Sequence, residues 1–124
     1  MKPYVLICAA LIAADQLVKQ MFPTPFWGWD PRGFHPAALT IGIMAALVLA
    51  AYPPIRLGGT IMLAGIASNA LSASNGDVPN PFVVGNVAFN LADLLLLVGM
   101  IVLFVSTPAV LRDVRQKGAA KGWK

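Results

Sequence analysis

The chain has 124 residues, 58% of them hydrophobic and 11% charged, with a net charge of +4. A soluble domain carries about 25% charged residues and at this size buries only about two-thirds of its surface, so the apolar side chains exceed what a soluble core holds. Disorder, which needs low hydrophobicity, is excluded as well, and a disulfide framework or structural zinc site finds too few ligands in one cysteine, one histidine and no glutamate.

Four apolar stretches follow one another, each near the roughly 20 residues that cross a bilayer core. The first covers about 3–22. Val5-Leu6-Ile7-Cys8 within it has only a weak likeness to a lipobox, since Ile7 is bulky and the apolar run continues to Ala14. A retained first span, with Cys8 as a packing residue, is the expectation. Residues 23–35 are rich in Pro, Gly and Trp and read as a loop. The second span, 36–52, leads through the Pro53-Pro54 turn to the third, 57–73. Another Pro/Gly/Asn-rich loop precedes the fourth span, 83–105, and a basic tail occupies 112–124. The expected fold is all-α and integral to the membrane: one domain over 1–124, a four-transmembrane-helix antiparallel bundle.

The positive charge is concentrated rather than spread. Arg112, Arg115, Lys117, Lys121 and Lys124 follow the last apolar run, Lys2 precedes the first, and Arg56 lies in the second connection. The other two loops hold only Arg32. Basic residues flanking spans mark the cytoplasmic side and can touch anionic lipid, so nucleic acid is not the expected partner. Both termini and the Tyr52–Arg56 turn are predicted to be cytoplasmic, with Trp27, Trp29 and Phe34 in an outer interfacial belt.

Polar side chains inside membrane helices cost a few kcal/mol each, which makes them functional candidates. Asp15, Gln16 and Lys19 lie in the outer part of the first span, Asn69 and Ser72 in that of the third, and Asn90 and Asp93 in that of the fourth. Asp15 and Lys19 are spaced i,i+4, and Asn90 and Asp93 i,i+3, so each pair shares a helix face. Gly65, beside Ala64 and Ser68, permits close helix approach. Convergence of Asp15, Lys19, Asn69, Asn90 and Asp93 would build a polar pocket below the outer surface. Two plainer readings stand beside this one: Lys19 snorkelling with Asp15 as its partner, and the asparagines serving as interhelical glue. His35 and Asp113 read as loop and tail residues.

Asp15-Gln16-Leu17-Val18-Lys19 resembles the D-Q-x-x-K of the first helix of signal peptidase II, the lipoprotein signal peptidase. Gly65-Ile66-Ala67-Ser68-Asn69 resembles the family's third-helix G-x-x-x-N, and Phe89-Asn90-Leu91-Ala92-Asp93, with Gly99 beyond it, its F-N-x-A-D. Order and spacing agree across nearly the whole chain. The resemblance implies a multi-pass aspartic endopeptidase of the bacterial plasma membrane, without metal or cofactor, whose partners are the prolipoprotein signal peptide and the bilayer. Two carboxylates activate one water there, since close like charges keep one of them protonated.

The chain departs from the family at important places. Ser72-Ala73 stand where it has Asp-Arg, the first outer loop lacks its N-x-x-x-A-F segment, and Asn80 falls where one catalytic Asp is expected. Asp93 matches the other catalytic Asp, and Asp77, three residues before Asn80, is a candidate substitute. The resemblance casts Asp15, Lys19, Asn69 and Asn90 as substrate-binding. Three functions follow: an impaired peptidase, an inactive homologue that binds lipidated signal peptides or inhibitors, and, more remotely, a small transporter or channel subunit using Asp93 as a proton relay.

Overall fold

A computed structural model describes residues 2–22, 36–74, 78–85 and 87–120. The chain is mostly helical. Helix α1 runs Lys2–Met21, α2 Pro36–Ala51, α3 Arg56–Ser74 and α4 Leu91–Ala120, with strands β1 (Phe82–Val84) and β2 (Val87–Phe89) between α3 and α4. Helix α3 is the centre of the arrangement and packs against each of the other three, while α1 meets α4 only slightly.

Among the described residues three helical segments are long and apolar enough to cross a membrane: Lys2–Met21, Pro53–Ser74 and Leu91–Ala119. The distribution of side chains agrees with a membrane-embedded chain. Buried apolar residues are few and mostly small (Ala46, Ala64, Ala92, Leu95), and the other buried side chains include Asp15, Lys19, Thr60, Ser68, Ser72, Asn80 and Asn90. Large apolar side chains face outward instead, Phe104 being 82% exposed and Val105 70%. Water would penalise that inversion, whereas lipid accepts it.

The α2–α3 connection follows from its prolines. Tyr52 is extended, as a residue before proline prefers, and Pro53–Ile55 form one 3-10 turn that runs into α3. Arg56 then donates from Nε to the Ala50 carbonyl and from Nη2 to the Ala51 carbonyl, both at 3.1 Å, so its guanidinium caps the C-terminus of α2. Close approach of α3 and α4 rests on glycine. A Cβ on Gly65 would stand 2.6 Å from the Ala92 carbonyl oxygen, and one on Gly99 2.9 Å from the Met62 amide nitrogen.

One expected boundary is corrected. The fourth span, expected over 83–105, does not begin as a helix: Phe82–Phe89 is an antiparallel hairpin pairing Phe82 with Phe89, Val83 with Ala88 and Val84 with Val87. The expected all-α chain therefore carries one small two-stranded sheet. Gly85 takes φ +61°, which suits a two-residue hairpin turn and no helix. At its other end α4 continues to Ala120, far into the basic tail.

Candidate functional site

The hairpin delivers the chain to Asn90, which starts α4 in a capping box. The Asp93 backbone amide donates to Asn90 Oδ1 and the Asn90 amide to Asp93 Oδ2, each at 3.0 Å. The i,i+3 spacing of these two residues thus reflects a helix start rather than a shared face inside a longer helix. From the same position Asn90 Nδ2 donates 2.9 Å to Asn80 Oδ1, so one asparagine holds both the half-buried Asp93 and the buried Asn80. Asn69 of α3 completes the cluster by donating from Nδ2 to Asp93 Oδ1 at 3.0 Å.

Asp15 and Lys19 of α1 lie behind it, 0% and 4% exposed, and their charges meet at 2.7 Å. Asp15 Oδ1 accepts the Ala92 amide of the first turn of α4 at 2.8 Å, where the helix dipole favours an anion. Its Oδ2 accepts the Ser68 hydroxyl at 2.6 Å. Lys19 spends its three ammonium protons on Asp15, on Asn69 Oδ1 (2.9 Å) and on Ser72 Oγ (3.1 Å). Lys19 therefore does not snorkel. It closes a ring of bonds that ties α1 to α3 and α4.

All the expected site residues except one are joined in this network. Asp77 lies outside the described residues, as do Trp27, Trp29, Phe34 and His35. Sequence reasoning left three members out of the site. Gln16 Nε2 reaches the Ser68 carbonyl (3.0 Å), Ser68 Oγ (2.8 Å) and Ser72 Oγ (3.1 Å), and Ser72 donates back to the Ser68 carbonyl. The i,i+4 serines beside Asn69, opposite a helix carrying Asp-Gln and Lys, were the available signal.

The network divides by accessibility. The Asp15–Lys19 half is buried and saturated by protein groups, so it fixes geometry. The half that can meet a ligand is Asp93 with Asn69, where a carboxylate oriented by two donors keeps lone pairs free for a water or an amide. Among the described residues no three His, Cys, Asp or Glu side chains group as metal ligands. Compared with protein-family models, curated proteins and solved structures, the chain matches none.

Proposed function

We propose that the chain is a signal peptidase II-like protein of the bacterial plasma membrane that engages the lipidated signal peptides of prolipoproteins and cleaves them poorly. It spans the membrane four times, with both termini cytoplasmic, and presents the Asn80–Asn90–Asp93 cluster at the outer side. The observation that carries the reading is the double role of Asn90: its side chain donates to Asn80 Oδ1, and its backbone amide donates to the Asp93 carboxylate, so one residue links positions 80 and 93. A carboxylate at position 80 would accept the same Asn90 N–H, so the framework suits an acid pair of which one member is an amide.

The chemistry sets the expected level of activity. One carboxylate must take a proton from water while the other supplies one to the leaving group; an asparagine hydrogen-bonds but exchanges no proton. Loss of one positioned acid–base group costs about 10²–10⁴-fold in rate. The test is a diacylglyceryl-modified prolipoprotein presented to the protein in liposomes, with photocrosslinking and cleavage read in parallel. Crosslinking without appreciable cleavage is expected, with cleavage rising in Asn80→Asp and falling back when Asp93→Ala is added. Robust turnover by the native sequence would overturn the impairment, and Asp77→Ala would then show whether Asp77 supplies the second carboxylate. Absence of both crosslinking and cleavage would remove the whole reading.

A further inference from the structure

The far end of α4 is longer than a membrane crossing requires, and its charges are divided between two faces. A hydrocarbon core of about 30 Å takes about 20 helical residues. Counted from Leu94, just beyond Asp93, that length ends near Asp113, so the residues around it reach headgroup level. Asp113 faces the α2–α3 turn, where it accepts the Tyr52 hydroxyl at 2.6 Å and the Lys117 ammonium at 2.7 Å. The same ammonium sits 5.7 Å from the centre of the Tyr52 ring. These contacts fix the rotation of the helix about its axis and neutralise one face.

By helical spacing Arg112 and Arg115 lie about 100° and about 160° round the helix from Asp113, and both are exposed. Among the described residues no carboxylate lies within ion-pair distance of either. Helical spacing puts Arg115 beside Arg112 (i,i+3) and beside Leu111 (i,i+4), and Val114 beside Leu111. Leu111 and Val114 are 53% and 55% exposed. Two guanidinium groups with no carboxylate partner among the described residues therefore border an exposed apolar strip at the depth where acyl chains give way to phosphates.

We propose that the Leu111–Arg112–Val114–Arg115 face of α4 is a binding surface for anionic phospholipid headgroups. The guanidinium forks bind phosphate oxygens in pairs, and Leu111 and Val114 lie against the upper acyl chain. A zwitterionic headgroup offers the same phosphate but carries an ammonium that opposes the arginines. This selectivity is separate from topology, because it is a property of the folded protein in a micelle, where there is no inside or outside.

The experiment is native mass spectrometry of the full chain in detergent micelles titrated with phosphatidylglycerol or phosphatidylcholine. Preferential retention of phosphatidylglycerol is expected, weakened about 30-fold in R112Q/R115Q, on the basis of the usual contribution of two basic residues near a lipid surface. K121Q/K124Q, which removes the same charge elsewhere in the tail, should weaken it much less. R112K/R115K, which keeps the charge and stands in should the glutamine variant fail to fold, should retain the preference for the anionic lipid with reduced affinity. Equal losses in the two glutamine variants or equal retention of the two lipids would each overturn the proposal.

Discussion

Lys19 shows how one residue can carry charge in an apolar setting. Its ammonium is neutralised by Asp15 and spends its remaining protons on Asn69 and Ser72, so none is left seeking water. Removing one partner of a buried ion pair leaves the other charge uncompensated and typically costs about 3–5 kcal/mol. Lys19→Met should therefore lower the thermal unfolding midpoint in detergent strongly, and Asp15→Asn added to it should recover part of the loss. A Lys19→Met protein as stable as the native one would contradict the buried clamp. The D-Q-x-x-K spacing makes such a pair legible in the sequence. That the pair is buried and saturated by protein groups depends on Ser68, Ser72 and the Ala92 amide, which come from other elements.

At the level of elements, α3 and α4 can bring Asn69 to Asp93 only because their backbones nearly touch. Gly65→Ala would place its Cβ 2.6 Å from the Ala92 oxygen and push the helices apart. Overpacking of this kind costs about 1–3 kcal/mol, and we expect a matching drop in resistance to thermal unfolding; an unchanged midpoint would argue against the close crossing. The opposite end of α4 is held by the Tyr52–Asp113 hydrogen bond. Accepting that bond, the Asp113 carboxylate raises the Tyr52 pKa above its ordinary value, with burial and charge repulsion adding to the effect. A folded pKa above the unfolded one means that the contribution to stability is complete below the ordinary phenol range and is lost as pH rises through the folded value. In a Tyr4→Phe background, where Tyr52 is the remaining tyrosine, ultraviolet titration should show a high phenol pKa that falls in Asp113→Asn. The hairpin did have a signal in the sequence: Val84 and Val87 flank Gly85-Asn86, a two-residue turn signal, but the predominantly apolar stretch from Val83 to Val105 reads more readily as membrane helix.

For the molecule as a whole, the two ends of the helical arrangement differ in kind. One gathers Tyr4, whose ring lies 5.5 Å from the Arg56 guanidinium, with Tyr52, Asp113 and Lys117; the other gathers Asp15, Lys19, Asn69, Asn80, Asn90 and Asp93. Single-cysteine labelling in a Cys8→Ser background should find positions 27 and 75 reactive from outside intact cells and position 56 protected. Labelling of position 56 from outside would reverse the orientation.

The sequence by itself determined that the chain seeks lipid, which residues are costly there, and that these lie at similar depth, because composition and spacing along a helix are local properties. It also showed Gly65 as a point of close packing. What only the tertiary structure decided is how the costly groups are shared out. Asn90 proved to be a helix cap because the chain enters α4 from a hairpin, Asp15 serves the first turn of a helix 77 positions away, and Asn69 orients Asp93 because Lys19 holds its other end. A buried polar group must find a partner wherever the fold offers one, and which partner lies within 3 Å depends on how the helices cross, a property that no local spacing encodes.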